Sequence, residues 1–150
     1  MSTLFDLYGL PRNFPEREQL VAIRDTEHRA DQVQARTAHE LGDDPRLIPY
    51  VQRHEFEALV LAALDDLAAL IDDREEIEGL GRLRAEIGRQ GPEEVDDGPT
   101  SAPSKRLRRA IPGFQKTAHG LRAVESCGLR CLRAACPRFH RWIADLEKLA

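Results

Sequence analysis

The 150-residue sequence predicts an α/β fold with few short strands and a helix-rich C-terminal half. Two observations carry this reading. Two short β-prone runs, Thr3-Leu4-Phe5-Asp6-Leu7-Tyr8 and Leu47-Ile48-Pro49-Tyr50-Val51, are each followed by a longer stretch of helical patterning, which gives the order strand, helix, strand, helix. After residue 103, three further helical segments follow. At 41% hydrophobic residues the chain can bury one ordinary core, so residues 1–150 are expected to form a single domain.

The first run ends at Gly9 and Pro11, which places Asp6 near a strand's carboxyl end. Residues 16–41 contain no Pro or Gly and carry apolar Leu20, Val21, Ile23, Ala30, Val33 and Leu41 among charges, predicting one exposed helix stopped by Gly42. Pro49 makes the second run an edge strand or a late-starting one. Phe56, Leu59, Val60, Ala63, Leu64, Leu67, Leu70 and Ile71 then repeat at helical spacing and predict the core helix. Residues 72–89 continue as polar helix despite glycines at 79, 81 and 88, and residues 91–103 carry a turn former at almost every step and read as a loop. Pro103 suits the first turn of a helix through Lys105 and Arg109. Helices are also expected over 120–126 and 137–149, the last with an apolar face of Phe139, Trp142, Ile143, Leu146 and Leu149.

Composition excludes several classes. No apolar run approaches a membrane span, and the first fifteen residues lack the features of a signal peptide. Three cysteines, an odd number, suggest reduced thiols and a cytoplasmic protein. The net charge of −4 conceals a polarity: residues 1–100 hold 11 Lys+Arg against 23 Asp+Glu, whereas residues 101–150 hold 11 against 3. A basic third of this kind serves an anionic partner such as nucleic acid, or neutralises the acidic part within the fold.

Two constellations could carry chemistry. Asp6 follows the first strand, and His54, Glu55 and Glu57 follow the second. Ligands gather at the carboxyl ends of parallel strands, and an Asp with a Glu suffices for Mg²⁺. The alternative is that Glu55 and Glu57 complement the dipole of their own helix N-terminus. The second constellation is Lys105, Arg106, Arg108 and Arg109 at a helix start, where amides and cations favour phosphate. Lys116 and His119 could extend that patch, and a solubilising basic face is the competing reading. Cys127, Cys131, Cys136 and His140 lack C-x₂-C knuckles, so zinc is not expected and Cys136 reads as small apolar packing. No phosphate-cradling G-x-x-x-x-G-K, nucleophile elbow or H-E-x-x-H is present.

Several of these stretches together resemble a bacterial family, domain of unknown function 4276. They are His54-Glu55-Phe56-Glu57-Ala58-Leu59, the block from Pro92 to Leu107, Cys136-Pro137-Arg138-Phe139-His140-x-Trp142, Asp6-Leu7-Tyr8-Gly9-Leu10-Pro11 with Phe14-Pro15, and Lys116-x-x-His119-Gly120. The resemblance implies a Toprim-like, Rossmannoid fold, the metal-binding domain of topoisomerases, primases and OLD-type nucleases. It also implies an opening strand with Val-Glu-Gly-x-Thr-Glu, which this sequence lacks, and Tyr8 stands where a second Asp of the Toprim pair is expected. The fold is thus read as an N-terminally shortened Toprim-like domain, expected to expose apolar surface and strand edges and to be prone to aggregation.

On this reading the complete form is a Mg²⁺- or Mn²⁺-dependent nuclease or other phosphodiester enzyme of a defence or mobile-element system. Asp6, Glu55 and Glu57 would hold the metal, with His54 and Glu55 in catalysis. Lys105, Arg106 and Arg109 would hold phosphate, Lys105 stabilising transition-state charge. The alternative is a non-catalytic module that docks on nucleic acid or on an ATPase encoded nearby.

Overall fold

The computed structural model describes all residues except Arg89, Asp96, Asp97, Pro99 and Ala150. The architecture is mixed α/β, and the chain divides into two compact units, residues 1–53 with 141–150, and residues 54–140.

The first unit is built on a two-stranded parallel sheet. Strand β1 (Ser2–Asp6) pairs with β2 (Ile48–Gln52) in the register Ser2 to Ile48 and Asp6 to Gln52. Parallel pairing demands a crossover, and the segment between the strands supplies helices α1 (Arg17–Ala22) and α2 (Thr26–Glu40). The single helix expected over 16–41 is therefore two. Ile23 is extended, and the Asp25 carboxylate accepts the His28 N–H at 2.7 Å, so the chain restarts at a fresh N-cap. Gly42 follows α2 at φ +85°, the left-handed conformation that a glycine supplies without strain. Leu7, Leu10, Leu20, Ala30, Val33 and Val51 form this unit's core. Within the same unit, the Trp142 ring stacks on Tyr50 at 4.6 Å and its Nε1–H donates to Ser2 Oγ at 2.8 Å.

The second unit is helical. The apolar stretch predicted as one core helix breaks at Ala63 (φ −109°, ψ 30°) into α3 (Glu57–Ala62) and α4 (Leu64–Ala68). Asp73, whose carboxylate accepts the Glu76 N–H, caps α5 (Arg74–Ile87). Pro103 opens α6 (Pro103–Ala110) as expected. A turn of π-helix over Lys116–Gly120 leads into α7 (Leu121–Ala135), followed by α8 (Pro137–Glu147), in which the boundary between the units falls. Helix α7 is kinked at Gly128 (φ +74°, ψ 169°), so the helical stretch expected over 120–126 ends close to that break and a second stretch continues to Ala135. Val60, Leu64, Leu67, Leu80, Leu83, Val95, Leu107 and Ile111 are among the core residues that join α3 to α6.

One expectation about the cysteines is overturned. Cys127 and Cys131 form a disulfide rather than free thiols, their Cα atoms standing 5.6 Å apart across the kink at Gly128, within bridging range. Cys136 is the buried small residue predicted. The loop expected over 91–103 contains a 3₁₀ turn at Pro92–Glu94, and its Asp96, Asp97 and Pro99 lie outside the described residues, as does Arg89 at the end of the polar helix. Among the described residues, no helix is long and apolar enough to cross a membrane.

Candidate functional site

Asp6 and the acids after β2 belong to different units. In the first unit Asp6 is half-buried at the carboxyl end of β1, beside Gln52 in the register. Gln52 is buried, and its Oε1 accepts the Tyr50 hydroxyl at 2.7 Å.

In the second unit His54 is buried, at 2% exposure, ahead of α3. Glu55 precedes α3 but reaches to another helix. Its Oε2 accepts the backbone N–H of Ser104 at 3.0 Å, so it caps the start of α6 from 49 residues away. Glu57, in the first turn of α3 and 6% exposed, faces Lys116 Nζ at 3.2 Å. The same ammonium stands 5.2 Å from the centroid of the Phe56 ring. Lys116 is thereby committed to an acid and an aromatic face rather than to a phosphate patch.

These contacts bear on Mg²⁺. A divalent cation needs carboxylate oxygens not already matched by positive charge. Within this unit the Glu57 charge is balanced by Lys116, and one Glu55 oxygen is held by a helix amide. The two acids as arranged do not form a ready divalent cradle.

The basic residues of α6 divide by face. Lys105, Arg108 and Arg109 are exposed, whereas Arg106 is held, its Nη1 donating to Glu86 at 2.6 Å and its Nε to the Ser101 carbonyl at 2.6 Å. Arg106 and Arg109 line a cleft between α5 and α6 of about 250 Å³, completed by Gly79, Arg82, Leu83, Glu86 and Ala110. Gly79 makes the cleft possible. A Cβ there would lie 2.6 Å from the Ala110 carbonyl oxygen, so only glycine lets the α6 backbone approach this closely. Three guanidiniums and one carboxylate leave the lining strongly positive. Among the described residues Arg82 and Arg109 have no ion-pair partner.

The family model described as Domain of unknown function (DUF4276) matches residues 1–147. The chain belongs to this family. No curated protein and no solved structure matches it. In this DUF4276 chain, sequence reasoning found Arg106 and Arg109 but missed Arg82, whose signal was indirect: Gly79 one turn earlier marks a close backbone approach. It also missed Glu93, which is 4% exposed and accepts the N–H groups of Arg138 at 2.8 Å and Phe139 at 3.1 Å, capping α8. Nothing in the local sequence around Glu93 announces that role.

Proposed function

We propose that this DUF4276 chain binds the phosphate backbone of nucleic acid, with the cleft between α5 and α6 as the contact. The observation that supports it is the gathering of Arg82, Arg106 and Arg109 around one cleft, with Glu86 fixing Arg106. Guanidiniums present forked donors that match phosphate oxygens. Lys105 and Arg108 on the same helix extend the positive field to neighbouring phosphates.

The test is fluorescence anisotropy of labelled single- and double-stranded DNA over a salt series. Loss of two phosphate contacts in Arg82→Gln/Arg109→Gln should lower the log–log salt slope by roughly 2. Binding indifferent to salt, or unchanged in the double variant, would sink the proposal and direct attention to a protein partner such as an ATPase.

A second reading, Mg²⁺- or Mn²⁺-dependent phosphodiester chemistry in a Toprim-like domain, is favoured by the position of Asp6 at the carboxyl end of a parallel strand. Calorimetry with either cation on the wild type, Asp6→Ala and Glu57→Ala tests it. Cation binding that Asp6→Ala abolishes supports this reading, and no binding by the folded wild type refutes it.

A further inference from the structure

Asp66 on α4 meets Cys127 and Cys131 on α7, and one ligand atom from each of the three lies within 4.8 Å of the others. We propose that reduction of the Cys127–Cys131 disulfide converts this cluster into a binding site for Zn²⁺, held by two thiolates and one carboxylate.

The spacing suits that ion. Tetrahedral zinc with bonds of about 2.3 Å to sulfur sets two sulfurs about 3.8 Å apart, so the reduced side chains need only rotate to reach it. All three groups are half-buried, partly desolvated yet open to an ion. The carboxylate is oriented from outside: Ser126 Oγ donates to Asp66 Oδ1 at 2.7 Å, leaving Oδ2 for the metal. Cys131 Sγ lies 3.8 Å from the Ala62 carbonyl oxygen, within reach of a thiol's weak donor. Soft thiolates select Zn²⁺ over Mg²⁺ and Ca²⁺. Three protein ligands leave the fourth position to water.

The conversion balances with a cellular dithiol as reductant. Two electrons and two protons pass to the protein, the S–S bond breaks to give two thiols, and the dithiol becomes a disulfide. Zn²⁺ then displaces both thiol protons, so binding weakens as pH falls. This site differs from the set discouraged by the sequence, since neither Cys136 nor His140 takes part and the third ligand comes from a distant helix.

The test is Zn²⁺ titration of the full chain against a chromophoric chelator, in oxidised form and after phosphine reduction, with Co²⁺ as the optical probe. The reduced chain should bind one ion and show a thiolate-to-cobalt charge-transfer band, and the oxidised chain should show neither. Ser126→Ala should weaken Zn²⁺ about 10- to 100-fold, and Asp66→Asn at least as much. The oxidised-against-reduced comparison needs no variant, so it stands even if a substitution unfolds the chain. Failure of the reduced chain to bind, equal binding by both forms, or an unchanged affinity in a folded Asp66→Asn variant would each overturn the proposal.

Discussion

Cys136 sits without solvent exposure at the start of α8, where burial first, and the nearby Glu93 second, push its thiol up to about 12 from an ordinary 9.0. The folded chain therefore holds this proton more tightly than the unfolded chain. The stability it contributes is complete below pH 9 and is lost as pH rises from 9 through 12, at up to about 1.4 kcal/mol per pH unit. Urea denaturation across that window should show a steeper decline for wild type than for Cys136→Ala, and parallel slopes would refute the assignment. Glu93 has the larger structural role. Its carboxylate is buried and accepts two amides of α8, so Glu93→Ala should cost about 2–3 kcal/mol in unfolding free energy. A change below 0.5 kcal/mol, on the order of an exposed substitution, would mean that water replaces it.

Among the elements, α5 and α6 make the most instructive pair. Glycine inside an exposed helix is ordinarily worse than alanine by about 1 kcal/mol, so Gly79→Ala would stabilise an isolated α5. Here the added methyl would meet a backbone oxygen at 2.6 Å, and backbone cannot step aside as a flexible side chain does. The expected sign is reversed, a loss of about 1–3 kcal/mol, and under the proposed function DNA binding should weaken too, since the same contact shapes the cleft. Thermal melting decides the sign. The helix starts are simpler. Asp25 and Asp73 each accept an amide three residues on, and Asp25→Ala or Asp73→Ala should cost about 1 kcal/mol by chemical denaturation.

At the scale of the whole chain, part of the charge polarity is neutralised within the fold. Arg106 with Glu86, Lys116 with Glu57 and Arg141 with Glu27 join the basic third to the acidic part inside the units. Lys105, Arg108 and Arg109 remain exposed. Arg141–Glu27, the most exposed of the three, contributes at most about 1 kcal/mol, whereas Glu57 is buried, so removing Lys116 would leave a buried charge without its ammonium. Among the described residues the sheet has two strands, each an edge strand, and Leu4 of β1 is 50% exposed. Such edges template association. Leu4→Lys should therefore reduce concentration-dependent self-association in sedimentation velocity, and equal association by both proteins would locate the contact elsewhere.

The sequence by itself determined the α/β class, both strands to within two residues, the start of α6 at Pro103, the burial of Cys136, and the basic character of α6. These follow from nearest-neighbour chemistry: alternation, helical spacing, proline geometry and charge. It did not determine the breaks at Ile23 and Ala63, because apolar spacing runs through both and local backbone dihedrals interrupt it. Glu55 looked like a ligand or a cap for its own helix, and only packing showed that it caps a helix 49 residues away. The partnerships of Glu57 with Lys116, Arg82 with the α6 guanidiniums, and Asp66 with two cysteines were likewise decided in three dimensions. Each joins residues far apart in the chain, and no local rule of spacing specifies which distant helix a side chain will meet.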